Sequence, residues 1–113
     1  MESILTSVKR VVGGISEEDT SFDDEIIMHT NAVFMILKRI GVGPAEGYFI
    51  KDKTNLWDEF IPGIEDSPKF EAVKSYVGLK VRLAFDPPTG SVKEALESVV
   101  SELEFTLNSE AEY

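Results

Sequence analysis

One histidine, no cysteine and 21 aspartates and glutamates set the chemistry open to this 113-residue chain. Catalysis needs a nucleophile beside a base, carboxylates held at different pKa values, or a metal. Without cysteine there is no thiolate nucleophile, no thiolate zinc site and no disulfide, and the simplest compartment is a reducing cytoplasm. A Ser-His-Asp arrangement would rest on His29 alone. That residue falls mid-way along a helical stretch, between Ile26 and Val33 on its apolar face, where a histidine bonded within a core or an interface is the expected case. No serine stands in a nucleophile-elbow motif.

The remaining clusters also have plain explanations. Glu17, Glu18, Asp19, Asp23, Asp24 and Glu25 lack the alternating ligands, central glycine and closing glutamate of a calcium loop, and they sit where a helix start favours negative charge. Gly41-Val42-Gly43 is too short to cradle a phosphate and follows a helix instead of a strand. The pairs Lys9-Arg10 and Lys38-Arg39 fall in the last turns of their helices, where positive charge suits the dipole, and do not form a DNA-binding stripe. The expectation is a protein that is not an enzyme, with no catalytic residue, no cofactor and no metal, acting by binding other macromolecules.

Two groups of residues are candidates for that binding. Tyr48, Phe49, Ile50, Trp57 and Phe60 are aromatic or branched positions in an otherwise irregular stretch. Such side chains either tack a loop onto its own core or anchor an interface with another subunit or another protein. Glu94, Glu97, Glu102, Glu104, Glu110 and Glu112, with Tyr113, make the C-terminal region acidic, and no basic residue follows Lys93. They form either a solvated face or an arm that orders against a partner or lines a passage. The net charge of −10 repels nucleic acid at long range. It fits a solvated surface, docking onto a basic partner, or a channel through which DNA slides without sticking.

The elements that position these residues are read from apolar periodicity and punctuation. Length and spread of apolar residues point to residues 1–113 as one helical domain. Ile4, Leu5, Val8, Val11 and Val12 follow helical spacing up to Gly13-Gly14. Thr20-Ser21 offers caps for a helix over 22–40, whose stripe of Phe22, Ile26, Val33, Leu37 and Ile40 is widened by Ile27, Met35 and Ile36. The helical period lapses over 41–66, an irregular insertion in which 48–51 reads as a strand and Thr54 or Asn55 caps a single turn carrying Leu56, Trp57 and Phe60. Ser67-Pro68 starts a third long helix with a wide apolar arc, ended by Pro87-Pro88, and the Ser91/Glu94 spacing of a capping box starts a fourth. Residues 108–113 read as a flexible tail. The fold class is mainly α: a four-helix bundle with a short β or irregular insertion between the second and third long helices. No apolar run approaches the roughly 18 residues of a membrane span, so neither secretion nor membrane insertion is expected.

Two runs of residues carry a family resemblance. The first is Ile26-Ile27-Met28-His29 through Ile40-Gly41-Val42-Gly43-Pro44, then Gly47, Ile50 and Trp57. The second is Glu71-Ala72-Val73-Lys74, Tyr76-Val77, Leu79-Lys80-Val81-Arg82-Leu83, Phe85-Asp86-Pro87-Pro88-Thr89 and Glu102-Leu103-Glu104. Together they make the chain resemble small head-tail connector proteins, the neck adaptors of tailed phages and prophages of Gram-positive bacteria. The likeness covers roughly 22–107 and consists of structural residues and punctuation, with no reactive motif. It implies a homo-oligomeric ring of roughly twelve copies closed by head-to-tail contacts. The partners implied are the portal protein on one side and a tail-side neck protein, the stopper, on the other. DNA in transit would pass without specific binding, and no membrane is involved. The implied location is the virion neck, with assembly in the host cytoplasm. The alternative that the residues leave open is an acidic DNA mimic or regulatory protein occupying a basic partner surface.

Overall fold

Helix α1 (Ile4–Val12) begins where Ser3 stands in extended conformation and its side-chain oxygen accepts the Thr6 amide, 3.3 Å away, satisfying one of the free donors of the first turn. It buries Ile4, Leu5, Val8 and Val12. Gly13, at φ +73°, ends it in a conformation that costs glycine little. The computed structural model describes residues 1–111.

Helix α2 (Asp23–Arg39) is preceded by Phe22, which makes no side-chain cap. The Thr20-Ser21 hydroxyls therefore do not cap it as expected, and the charges of Asp23, Asp24 and Glu25 complement the first turn instead. Its core face is Ile26, Thr30, Val33, Phe34 and Leu37. Phe22 and Met35, read as part of the apolar stripe, face solvent, as does Met28. Phe22 still lays its ring edge-on to Phe85 at 5.6 Å.

The loop between α1 and α2 is held by Lys9, which is buried. Its ammonium reaches the carbonyls of Glu17 (3.2 Å) and Asp19 (2.8 Å) and the carboxylate of Asp23 (2.9 Å). All three ammonium hydrogens thus have acceptors, the condition under which a buried charge is tolerated.

The 41–66 insertion is part of the core. Helix α3 (Trp57–Phe60) and a 3-10 turn (Ile64–Asp66) direct Trp57, Phe60 and Ile64 inward. Rings of Phe34 and Phe60 lie 4.7 Å apart, Phe34 and Tyr48 5.4 Å, and Trp57 and Phe70 5.8 Å. The strand expected at 48–51 is absent. Ile50 gives its amide to the side-chain oxygen of Asn31 (2.8 Å), and its carbonyl accepts from the Asn31 amide nitrogen (3.1 Å), so one α2 side chain supplies what a partner strand would have supplied. The extended pairing that does form is an isolated antiparallel bridge between Ser3 and Leu56.

Helix α4 (Phe70–Phe85) is the central element, packing against α1, α2 and α5. It starts two residues after the expected Pro68, with Lys69 as its N-cap and the Ser67 carbonyl accepting the Phe70 amide. Gly78 lets α1 approach: a Cβ there would stand 2.6 to 2.8 Å from the Cβ and both Cγ atoms of Val11. Gly78→Ala gains about 1 kcal/mol of helix propensity, yet it is expected to destabilise by about 1–2 kcal/mol net because the two helices must separate. Urea unfolding measures this. A more stable Gly78→Ala variant would show that the helices are not in contact there.

Helix α5 (Gly90–Ala111) is long and lies chiefly against α4. Its backbone remains helical through 108–111, the first part of the segment expected as a flexible tail. Leu107, fully buried, ties down that last stretch. The architecture is a mainly helical bundle of four long helices and one short one, with no strand among the described residues.

Candidate functional site

The aromatic candidates are divided by burial. Ile50, Trp57 and Phe60 are enclosed, and Tyr48 is half-buried with its ring against Phe34 and Phe60. Phe49 alone of the five is exposed, at 62%. The insertion is thus tacked to its own core by four of these side chains, and Phe49 is the one left facing solvent. Tyr48 and Ile50 are held inward on either side of it, by the Phe34 and Phe60 rings and by Asn31.

The acidic candidates lie along α5. Glu94, Glu97 and Glu102 are exposed, and Glu104 is half-buried. Glu110 stands on the last helical turn, while Glu112 and Tyr113 lie outside the described residues. Val92, Val99 and Phe105 are exposed apolar residues on the same helix. Only part of the α5 stripe is therefore covered by α4, with Val100 and Leu107 buried and Leu96 and Leu103 half-covered.

An open cleft of about 470 Å³ separates α5 from α2. Val33, Ile36, Leu83 and Val100 contribute apolar lining, while His29, Lys80, Glu97 and Glu104 contribute polar groups. His29, expected within the core or an interface, lies at this cleft with 23% of its side chain exposed, 4.0 Å from Glu25 and edge-on to Phe85. Arg39 and Glu104 approach to 3.9 Å across the same gap.

Tyr76 lies fully buried beside Glu104, and its hydroxyl makes no hydrogen bond of ordinary geometry. Burial and then the Glu104 charge push its phenol up to about 12. Because this is above the ordinary value near 10, the folded state keeps the proton where the unfolded state loses it. The resulting stability is complete below pH 10 and is lost as pH rises towards 12. Tyr76→Phe is expected to hold or gain up to about 1 kcal/mol at pH 7, since it removes an unpaired buried hydroxyl. It should also lose less stability than the parent between pH 9 and 11 in urea titrations. A large loss at pH 7 would mean that the hydroxyl is bonded.

Lys9 and Asn31 were not legible as structural ties. The signal for Lys9 is its place at the border of the α1 apolar arc, four residues after Leu5 and one after Val8. Asn31 is a polar residue beside the Thr30 and Val33-Phe34 core positions of α2, and nothing local names its partner 19 residues away.

Among the described residues, no three histidines, aspartates or glutamates converge as metal ligands would. The site is thus a set of partly covered helix faces, an open cleft and an acidic surface on a helical bundle. The sequence matches the family of phage connector proteins over residues 4–113, and the chain belongs to that family. Its role is structural connection in a phage. No curated protein and no solved structure matches the chain.

Proposed function

We propose that this connector forms a ring of roughly twelve copies in the virion neck of a tailed phage or prophage of Gram-positive bacteria. One side of the ring meets the portal, the other meets the tail-side stopper, and DNA passes through the lumen. The observation that carries this reading is α5: a 22-residue helix lying chiefly on α4, with exposed glutamates along its length and no basic residue after Lys93. A helix of that kind can present its uncovered side to a partner while it stays packed on α4, and glutamates facing a lumen would avoid the phosphate contacts that hold DNA back. Phe49 and the uncovered side of α5 are the proposed subunit, tail-side and portal contacts. Assembly takes place in the host cytoplasm.

The net charge of −10 supports a second reading, an acidic DNA mimic held in a basic groove. Co-sedimentation with purified portal separates the two. A connector is expected to pellet with portal, with little weakening between low and moderate salt and no competition by duplex DNA. Binding that DNA abolishes and that salt weakens steeply would favour the mimic.

A further inference from the structure

Two helix faces of this chain are apolar, exposed and matched to each other. On α2, Met28 (59% exposed) and Met35 (62%) lie directly opposite the core face formed by Ile26, Val33 and Leu37. On α5, Val92 (52%) and Val99 (43%) flank the side that packs on α4. Each pair is spaced seven residues apart, about 10.5 Å along a helix, so both pairs come into register when the helices run parallel. In that register Arg39, eleven residues after Met28, stands within one residue, about 1.5 Å, of Glu102, ten residues after Val92. Arg39 is free to meet it, being 72% exposed and only loosely placed at 3.9 Å from its own Glu104. The antiparallel register instead sets Glu102, three residues after Val99, level with Glu25, three residues before Met28, two like charges.

From this juxtaposition we infer that the α5 flank of one copy seats, in parallel, on the outer methionine face of α2 in the next copy. The two surfaces differ, so the contact is head-to-tail, and repeating it adds copies in one direction, closing as a ring where the rotation permits. Methionine suits the receiving side because its flexible side chain adapts to the valines it covers. The inference rests on the ring reading and names the faces that would build it.

The absence of cysteine makes the test direct. Met35→Cys and Val99→Cys are prepared separately, mixed at high concentration and oxidised, with sedimentation velocity of the unoxidised mixture in parallel. The expected product is a disulfide-linked pair containing one of each variant, formed far faster than either homodimer. Arg39→Glu on the Met35→Cys copy should slow it about two- to fivefold, and Glu102→Arg on the Val99→Cys copy should restore it. Assemblies that sediment as rings without the mixed product would overturn these faces and leave the ring standing. Faster homodimer formation would overturn the head-to-tail contact, and a mixture that stays monomeric would overturn both the faces and unaided assembly.

Discussion

Replacing Trp57 by alanine is expected to lower unfolding free energy by about 3–5 kcal/mol, the range for deleting a large buried aromatic. Trp57 is fully enclosed and touches the rings of Phe34, Phe60 and Phe70. Its indole N–H donates to the Ser7 hydroxyl at 3.0 Å, and that hydroxyl donates in turn to Glu2, whose carboxylate meets Lys74 at 3.3 Å. The insertion, α1 and α4 are thereby joined through one polar chain as well as through packing. Burial alone would raise the Glu2 carboxyl, but the Ser7 hydrogen bond and the Lys74 ammonium together hold it below its ordinary value. Trp57→Phe keeps most of the ring volume and gives up the hydrogen bond, so a smaller cost of about 1–2 kcal/mol is expected. Urea unfolding followed by far-ultraviolet circular dichroism measures both. A Trp57→Ala variant within 1 kcal/mol of the parent would mean that the insertion is not core, and would return Trp57 to the candidate docking residues.

Lys9→Met should cost about 2–4 kcal/mol. The substitution keeps an apolar stem but strands two carbonyls and a carboxylate that now share one ammonium. Removing one member of a buried ion pair leaves the other uncompensated. The estimate lies below that of a deeply buried pair because Asp23 keeps 21% exposure and water can return to it. The neighbouring Arg10 gives the control, since its 2.6 Å contact with Glu17 is between side chains 60% and 47% exposed. Arg10→Met is expected to change stability by about 0–1 kcal/mol. Hydrogen exchange adds a regional readout: Lys9→Met should raise exchange across 13–22 more than elsewhere, as loss of a local tie requires. Equal effects of the two substitutions would contradict a special role for Lys9.

These residues also show what the sequence makes legible. Local signals were strong where elements stop: Gly13 ends α1 and Pro87-Pro88 follows the end of α4, whereas α5 opens at Gly90, so Ser91 lies inside its first turn and does not cap it as the Ser91/Glu94 spacing predicts. Apolar period found the long helices and marked α4 as central through its wide arc. Partnerships distant in sequence were not readable. The 48–51 segment has strand composition, but whether a strand forms depends on what satisfies its backbone, and here Asn31 does so from α2. Composition likewise could not separate Trp57, which is buried, from Phe49, which is exposed, because both are aromatic residues of one irregular segment. The methionines of α2 carry a related lesson: Met35 was counted into the buried stripe on residue type, although its place on the helix is opposite Val33 and Leu37. On α5 the apolar seam was read correctly as a stripe, while the fact that α4 covers only part of it depends on the packing of whole helices.

Electron microscopy of the purified connector with its portal tests the central claim most directly. The connector account expects an annulus seated on one face of the portal, with the portal's rotational symmetry and an open channel along the axis. A connector that remains monomeric beside portal particles bare of any added ring would contradict it.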